Sequence, residues 1–491
     1  MRPPQNTIVV VGAGPAGLSA AYELVREKST KPAKVVILEA TQEIGGLSRT
    51  ARHRDKRIDI GGHRFFSKNP EITRWWQDML GPDLLVRKRK SRILHNRQMF
   101  DYPLKANIKT IGKLGWAKTG KIAASYAKAR LMPKPENSLA DFLINRFGNE
   151  LYEKFFQSYT EKVWGRKCED IPPDWGAQRV KGLNMAKAVK DALGIKSDET
   201  SLIPTFLYPR LGPGQMWETT AERITALGGE IIRGAKATKI SAEGTKITGV
   251  TYQTASGEQH LSCSHLISSM PVKDLVAGFN GTTTENIKEI GRGLEYRDFI
   301  TVGLKIPRLN LGQPHEENIS DNWIYIQETD VRLGRLQIFN NWSPELAGAE
   351  SHYGFWLGLE YFCQAGDDLW SKNDEELKMF AAKELAALGM IHPDKCAPAA
   401  ASGIAIRAEK AYPAYSGTFA RFSELRTWAD TFENLFLVGR NGMHRYNNQD
   451  HAMETGIAAA RKIKSGDTDK TAIWATGNEK TYLETCPKPQ P

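Results

Sequence analysis

The first forty residues alternate between apolar runs and small or polar residues in a pattern that predicts a strand, a tight turn, a helix and a second strand. Ile8 to Val11 are four consecutive β-branched residues, as in strands buried on both faces of a parallel sheet. "GAGPAG" (residues 12–17) follows at once, and apolar positions then recur with helical spacing through Leu24. A further apolar run, "KVVILE", ends at Glu39. The pattern predicts a β-α-β unit.

The turn in this unit has the spacing G-x-G-x-x-G that is typical of dinucleotide binding. Gly12 allows the tight turn, Gly14 lets backbone N–H groups approach a pyrophosphate, and Gly17 lets the helix pack closely on the strand. Glu39 stands 22 positions after Gly17, where an acid can accept hydrogen bonds from ribose hydroxyls. An ordinary glycine turn explains the glycines, but not the strand, helix and acid together. The dinucleotide is either NAD or FAD.

The rest of the pattern divides the chain into six segments. Helical spacing over residues 106–200 predicts a helical insertion, and alternating runs between residues 295 and 362 predict an antiparallel sheet. We expect a discontinuous dinucleotide-binding domain in residues 1–100, 205–290 and 411–465, a helical insertion in 101–204, a substrate-binding sheet domain in 291–410 and a polar tail in 466–491.

A polar and aromatic stretch near the carboxyl end stands between a predicted strand and a predicted helix. "NLFLVG" leads into "GRNGMHRYNNQDHAMETG" (residues 439–456), which precedes an Ala-rich helical run. A solvated loop would explain the polarity, but not the apolar strand or the three glycines. Ligands of α/β folds bind where strands end and helices begin, so the stretch predicts a site.

Composition indicates an ordinary globular protein of two or three domains, with 491 residues, 41% hydrophobic and 25% charged. The net charge of +11 suits an anionic substrate, a nucleic acid or an anionic membrane surface, and charge alone does not choose among them. We expect the basic runs 86–92 and 118–130 to be solvated surface. Their alternative is peripheral contact with a membrane or a lipid-linked substrate. No nucleic-acid-binding module is recognisable in them.

Five scattered cysteines without a C-x-x-C pair indicate neither a zinc site nor a disulfide framework, and no metal site is expected. Free cysteines favour a cytoplasmic location. The apolar run from Ile8 to Val25 is interrupted by glycines, a proline and Glu23, so we expect no transmembrane helix.

Further motifs resemble the FAD-binding signature of the amine oxidase and protoporphyrinogen oxidase superfamily. They are "IGGLSRT" (44–50), "RIDIGGHRFF" (57–66), "HLISSMPV" (265–272) and the late "NLFLVGRNG". The resemblance implies FAD and an α/β fold, in which a Rossmann-type (GR2-like) FAD-binding domain carries a helical insertion and an antiparallel β-sheet substrate domain. The implied FAD-binding residues are Gly12, Gly14, Pro15, Ala16, Gly17, Glu39, Gly45, Gly46, Leu47, Arg49, Gly61, Gly62, His63, Gly439, Arg440, Asn448, Gln449 and Asp450.

A second set of motifs is similar to UDP-galactopyranose mutases, especially the eukaryotic-type enzymes. It comprises "SYTEKVWGRKCEDIPPDWGAQRVKGLNM" (158–185), "FDYPLKAN", "SDNWIYIQETDVRLGRLQIFNNWSP", "KAYPAY" and "GRNGMHRYNNQDHAM", in the order of that family. The resemblance spans most of residues 7–463. The substrate-binding residues that it implies are Lys105, Tyr159, Trp164, Arg179, Arg335, Trp342, Tyr412 and Tyr446.

This resemblance changes the interpretation of several residues. Taken singly, Tyr159 and Trp164 have the helical spacing of buried core residues. Arg179 would form an ion pair on the surface, and Arg335 would be a solvent-exposed residue of a strand. The family match instead makes the two arginines a diphosphate clamp, a role that suits guanidinium forks. His63, otherwise a core histidine, matches one near the flavin. We therefore predict His63, Arg179 and Arg335 as catalytic residues.

The sequence also departs from the mutase pattern. "YPLKAN" stands where "YPFQNN" is common, so Lys105 replaces a substrate-contacting Gln, and Trp342 stands where a Tyr is usual. Tyr446 and Asp450 are separated by only three residues, as in bacterial-type mutases. These mixed features indicate a divergent subgroup, in which the sugar and its carrier diphosphate are open.

The expected activity is pyranose–furanose interconversion of a nucleotide sugar such as UDP-galactose, or of a related glycosyl diphosphate. In the mutase family the N5 atom of reduced FAD attacks the anomeric carbon as the diphosphate leaves. NAD(P)H is a candidate external reductant. Shared elements such as "DIGGHRFF" and "FLYPRLGPG" support an oxidase or desaturase of the protoporphyrinogen oxidase or amine oxidase type as the alternative. A third hypothesis is a flavin-bound binding protein that has lost catalysis. The sequence does not predict the oligomeric state.

Overall fold

A computed structural model describes residues 6–26, 33–104, 108–173, 204–280, 283–311, 319–349 and 351–477. The strands in these ranges are β1 (Thr7–Val11), β2 (Lys34–Glu39), β3 (Thr50–His53), β4 (Lys56–Asp59), β5 (Leu84–Lys88), β6 (Ser91–His95), β7 (Gln98–Asp101), β8 (Thr205–Pro209), β9 (Glu230–Arg233), β10 (Lys236–Glu243), β11 (Lys246–Thr254), β12 (Gly257–Ser262), β13 (His265–Ser268), β14 (Phe279–Asn280), β15 (Leu294–Ile306), β16 (Trp323–Ile326), β17 (Arg335–Ile338), β18 (Phe355–Cys363), β19 (Ile404–Gly417) and β20 (Leu435–Leu437).

The α-helices of the same ranges are α1 (Pro15–Val25), α2 (Pro70–Leu80), α3 (Ile108–Leu114), α4 (Trp116–Leu131), α5 (Leu139–Phe147), α6 (Asn149–Tyr152), α7 (Ser158–Trp164), α8 (Pro213–Ala226), α9 (Val272–Ala277), α10 (Glu285–Gly293), α11 (Asp374–Ala387), α12 (Cys396–Ala401), α13 (Phe422–Asp430), α14 (Gly439–Gly442), α15 (Gln449–Ser465) and α16 (Thr471–Ala475).

β1 is the central strand of a five-stranded parallel sheet with the order β20-β13-β1-β2-β9. All five residues of β1 are buried, as expected for a strand that is covered on both faces. Because the strands are parallel, their carboxyl ends meet at one edge of the sheet. The glycine turn after β1, Glu39 at the end of β2 and the turn after β20 therefore lie at the same edge, where α/β folds bind ligands.

A second sheet of seven strands has the order β19-β15-β18-β17-β16-β6-β7. Its strands pair antiparallel, as the alternating pattern predicts, except that β6 pairs parallel with β16. β6 and β7 lie in this sheet, although the sequence pattern assigns residues up to 100 to the dinucleotide-binding part. β19 continues to Gly417, beyond the expected boundary at residue 410. The other domain boundaries stay predictions.

The described part of the expected helical insertion contains helices α3 to α7, which are joined by irregular segments. Lys162 of α7 fastens it to the large sheet, since its Nζ donates to the carbonyl oxygens of Glu328 at 2.7 Å and Leu333 at 2.9 Å. Burial lowers the pKa of Lys162 to about 8. Arg297 of β15 adds a hydrogen bond to the carbonyl of Val163. Helix α7 is therefore held against one face of the sheet.

The apolar core has three parts. One surrounds the parallel sheet, a second lies between the large sheet and the helical insertion, and a third covers the other face of the large sheet beneath α11. Phe299 belongs to the second part and its neighbour Ile300 to the third, because successive side chains of a strand point to opposite faces.

Candidate active site

The turn between β1 and α1 contains two glycines, Gly12 and Gly17, at which any side chain would overlap with neighbouring atoms. Gly12 has φ +100°, and a Cβ there would collide with Ser269 Oγ. A Cβ on Gly17 would collide with the carbonyl oxygen of Gly12. Helix α1 begins at Pro15, immediately after Gly14, and has no side-chain cap. Its first backbone N–H groups would suit an anion, and the anion site that the G-x-G-x-x-G spacing predicts stays a prediction.

A second glycine loop faces this turn. Gly45 donates its N–H to the carbonyl of Ala13 at 2.9 Å, and Gly45 and Gly46 both have left-handed backbones, with φ +107° and +55°. A Cβ on Gly46 would lie 3.2 Å from the Cα of Gly14. Arg49 donates to the carbonyl of Gly46 at 3.0 Å and so braces the loop. The two loops therefore approach each other closely, with glycine backbones and no side chains at the point of contact.

Glu39 is buried at the end of β2 and holds the first turn in place. One carboxylate oxygen accepts the N–H of Ala13 at 2.8 Å, and the other accepts the N–H of Thr41 at 2.9 Å. A carboxylate has further lone pairs on each oxygen, so these bonds still allow it to accept from ribose hydroxyls. The contact with ribose stays a prediction.

The late polar turn lies beside the first one. Gly439 has φ +72°, and its N–H donates to Thr455 Oγ1 at 3.0 Å. Helices α1 and α15 pack so closely that a Cβ on Gly456 would collide with the carbonyl oxygen of Ala16. Helix α15 begins at Gln449 after Asn448, again without a side-chain cap. Two helix amino termini thus lie at the glycine-lined edge of the sheet.

These features fit a bound dinucleotide. Glycines without side chains let a ligand come close to the backbone, and the helix amino termini suit a pyrophosphate. Gln449 Oε1 and Asn441 Oδ1 are buried and accept no hydrogen bond from any residue that the structure describes. Buried polar atoms usually have partners, so these two are available to a ligand. Asp450 is buried in the first turn of α15, and Leu47 packs against the second core.

The Gly61-Gly62-His63 turn joins this edge to the large sheet. Gly62 donates its N–H to Glu360 Oε1 at 3.2 Å, and His63 Nδ1 lies 3.1 Å from the carbonyl of Gly61. Since a carbonyl only accepts, Nδ1 carries the proton and Nε2 is an acceptor. Burial, followed by the charges of Arg440 and Arg335, lowers the pKa of His63 to about 4. The imidazole is therefore neutral near pH 7.

Arg335 and Glu360 form an ion pair next to this turn. Arg335 Nε donates to Glu360 Oε2, and Gln337 Nε2 donates to Glu360 Oε1 at 2.6 Å. Glu360 has no exposed surface, whereas the side chain of Arg335 is 21% exposed. Burial opposes the positive charge of Arg335, but Glu360 and the nearby tyrosines raise its pKa well above the ordinary value. Arg335 is thus a fixed cation.

Four predicted substrate residues meet around this cation. The rings of Tyr412 and Tyr446 stack with centroids 6.1 Å apart, and Trp164 contacts Tyr412 edge-on at 6.3 Å. Tyr159 lies close enough to Arg335 for their charges to interact. Burial raises the pKa of Tyr159 and of Tyr412, which keeps their hydroxyls protonated and able to donate. The structure therefore brings together residues from α7, β17, β19 and the late turn.

Arg440 connects the tyrosines to the late turn. Its guanidinium carbon lies 4.8 Å from the ring centroid of Tyr446 and 5.5 Å from that of Tyr412. The same group donates to the carbonyls of Asn447 at 2.8 Å and Ala411 at 3.0 Å. Arg440 therefore fixes the two rings, in addition to the flavin contact that the sequence predicts for it.

Three predicted substrate residues are not placed in this cluster. Arg179 and Lys105 lie outside the described residues. Trp342 is 1% exposed within the second core, and its Nε1 donates to the carbonyl of Asn322 at 2.9 Å. Its ring lies 5.1 Å from that of Tyr208. A substrate contact of Trp342 stays a prediction that this packing does not support.

Several residues of the site are missing from the sequence-based prediction. Glu360 is the most important, and its signal was a single charge inside the apolar run "FWLGLEYF". Tyr325 contacts Tyr159 at 5.5 Å and Tyr102 at 4.9 Å. Arg89 lies over the ring of Tyr102 at 5.7 Å. Aromatic and cationic side chains thus continue along the large sheet.

The expectation that residues 86–92 are solvated surface is wrong for part of the run. Arg92 is buried and pairs with Asp321 at 2.6 Å, and Arg87 Nε donates to the carbonyl of Trp342 at 2.7 Å. Arg87 thus joins β5 to the domain of the large sheet, and Arg92 fixes β6 to Asp321, which precedes β16. In the run 118–130, Lys118, Lys121 and Lys128 are exposed, as predicted.

Among the described residues, no group of His, Cys, Asp and Glu side chains is arranged to hold a metal ion. In the same part of the chain, no helix is both long and apolar enough to cross a membrane.

Comparison with known proteins places these features in a family. The chain is 29% identical to a probable UDP-galactopyranose mutase of Klebsiella pneumoniae over 178 residues, which are 34% of this chain and 43% of that protein. It is 33% identical to an L-amino acid oxidase (Cdc18) of Crotalus durissus cumanensis over 113 residues, 20% of this chain and 22% of that protein. Each alignment spans less than half of the relative's length.

The fold itself is shared over nearly the whole chain. It matches a crystal structure of reduced UDP-galactopyranose mutase with a TM-score of 0.78, covering 97% of this chain and 99% of that one at 22% identity. The α/β architecture predicted from the sequence is thereby confirmed. The family described as flavin containing amine oxidoreductase matches residues 15–464. On that match, this protein belongs to the flavin-containing amine oxidoreductase family.

Proposed function

We propose that this protein is an FAD-dependent mutase that interconverts the pyranose and furanose forms of a sugar carried on a nucleoside diphosphate. The observation that carries the proposal is the cluster of Arg335 with Tyr159, Tyr412 and Tyr446 beside the Gly61–His63 turn. A fixed cation and protonated tyrosine hydroxyls are suitable partners for a diphosphate. The mutase relative and the shared fold support the same reading.

The chain's own residues would position the substrate and stabilise charge. Arg335 neutralises the diphosphate, and Tyr412 and Tyr446 donate hydrogen bonds to its oxygens. Neutral His63 offers Nε2 as a hydrogen-bond acceptor. When bound and reduced, FAD supplies the nucleophilic electron pair. Arg179 would be the second clamp residue, and NAD(P)H the external source of electrons. We place the protein in the cytoplasm.

The competing function is a flavin oxidase or desaturase, which the similarity to an L-amino acid oxidase favours. That relative resembles the chain over a shorter stretch than the mutase does. The two functions differ in their use of electrons. A mutase returns the flavin to its starting state in each cycle, whereas an oxidase consumes one oxidant per turnover.

The test is a screen of nucleotide sugars against purified protein in two redox states. Dithionite-reduced, anaerobic protein should turn over many times without more reductant, and oxidised protein should be inactive. Cyanoborohydride added during turnover should increase the mass of the released FAD by that of a sugar. Activity that is stoichiometric with oxygen or reductant, or equal in the two states, would contradict the mutase assignment. Tight nucleotide-sugar binding without turnover would indicate a binding protein.

A further inference from the structure

Helix α4 (Trp116–Leu131) buries only one side. Ile122 and Ala129 are buried, whereas Trp116 and Leu131 at its ends are 76% and 83% exposed. Met132, directly after the helix, is 70% exposed. Single exposed apolar residues are common, but three large ones on one short segment indicate a surface that contacts something else.

The same segment is basic throughout. From Thr110 to Pro135 it contains six lysines and arginines and no aspartate or glutamate. Lys121 and Lys128 are exposed, and neither forms an ion pair with a residue that the structure describes. Burial lowers the pKa of Lys154, and the nearby positive charge of Lys118 lowers it further. Lys118 therefore lies near Lys154, with Glu150 also close by, and the excess of cations in the segment suits an anionic partner.

The apolar and basic side chains share the outward half of the helix. At 3.6 residues per turn, Trp116 and Leu131 point within about 60° of each other, away from the side of Ile122 and Ala129. Lys121 and Lys128 are seven residues apart and lie next to this apolar strip on the same exposed half. An apolar strip bordered by cations is the pattern of helices that lie in a membrane interface.

We propose that α4 is a docking surface for an anionic lipid bilayer, with the helix lying parallel to the membrane. Trp116, Leu131 and Met132 would enter the headgroup region, and Lys121 and Lys128 would lie near lipid phosphates. Charge complementarity selects an anionic surface. The exposed apolar side chains favour lipid over nucleic acid, whose phosphates need cations but not leucine and methionine. This inference is independent of the proposed reaction.

The experiment measures sedimentation of the full-length, flavin-loaded protein with lipid vesicles. Phosphatidylcholine vesicles that contain phosphatidylglycerol should bind it, pure phosphatidylcholine should bind it much more weakly, and salt should reduce the binding. The double variant Lys121→Glu, Lys128→Glu should weaken binding about tenfold or more. Trp116→Ala with Leu131→Ala should weaken it to a similar degree.

The matched control is Lys236→Glu with Lys288→Glu, two exposed lysines on β10 and α10 that give the same change in net charge. This control should bind like the parent, and flavin content should show that every variant is folded. Four outcomes would overturn the proposal: no binding to anionic vesicles, equal binding to neutral ones, an equal loss in the control, or tighter binding to RNA. If the parent protein were a dimer and the Trp116→Ala, Leu131→Ala variant a monomer, the surface would instead be an interface with a second copy of the chain.

Discussion

Arg335 and Glu360 are paired residues on the neighbouring antiparallel strands β17 and β18, and the Nε of Arg335 donates directly to Glu360 Oε2. Glu360 also accepts the N–H of Gly62, so one buried carboxylate connects the cation to the turn that carries His63. The position of the proposed substrate cation is thereby coupled to the backbone of the cofactor site.

Arg335→Ala should weaken the binding of nucleoside diphosphates by about 1.5–3 kcal/mol, the range for a hydrogen bond to a charged group. Flavin content should be unchanged, because none of the predicted flavin contacts is removed. Arg335→Lys should recover only part of the loss, since the planar fork is absent. Calorimetric titration measures the effect. Arg332→Ala is the control, because Arg332 pairs with Asp368 on the surface; equal losses in both variants would contradict the assignment.

Glu360→Ala should lower the free energy of unfolding by about 3–5 kcal/mol, because it leaves Arg335 without its buried counter-charge. The double variant Arg335→Ala, Glu360→Ala should lose less than the sum of the single variants, since the pair interacts directly. Denaturant unfolding of the four proteins measures this cycle. Additive losses would show that the pair contributes no coupling.

Gly14→Val should give a folded protein that does not bind FAD. A Cβ on Gly14 would lie 3.8 Å from the Cα of Gly46, an ordinary contact, but a larger side chain would block the approach of a pyrophosphate to the backbone of the turn. Absorbance of the purified protein near 450 nm reports the bound flavin. Gly112→Val is the control, because a Cβ there has no neighbour within 4 Å. A yellow Gly14→Val protein would refute the proposed pyrophosphate site.

Stability should fall as the pH falls from about 6.5 towards 4, partly through His444. Burial lowers the pKa of His444 to about 4 in the folded protein, so within this window the unfolded chain takes up a proton that the folded one does not. Above pH 6.5 both states are neutral at this group and its contribution is constant. His63 acts in the same direction.

His444→Gln removes the titrating group and should make the decline shallower by up to about 1.4 kcal/mol per pH unit. The amide can still donate to the carbonyl of Ala414, which accepts from His444 Nε2 at 3.1 Å. Denaturant unfolding at several pH values tests this, with the exposed His392→Gln as control. An unchanged slope in His444→Gln would contradict the expectation.

The dinucleotide-binding unit could be predicted from local sequence patterns alone. The turn requires a left-handed backbone at Gly12 and close packing at Gly17, and only glycine meets these requirements, whereas Gly14 is predicted to leave room for the ligand. The strand before it and Glu39 after it are short-range features with their own periodicity. Such local requirements of the backbone can be recognised in the sequence, because the residues that meet them are neighbours in the chain.

The assembly of the predicted substrate cluster could not be foreseen in this way, because it depends on how distant strands pair. Glu360 meets Arg335 through the register of two strands, and Arg440 reaches Tyr412 because β19 passes beside the late turn. In the same way, Arg92 looks like surface charge in sequence but forms a buried pair with Asp321. Such contacts depend on which strands become neighbours and in which register, and a one-residue shift would turn each side chain to the other face. No local sequence pattern indicates which strands become neighbours or in which register they pair.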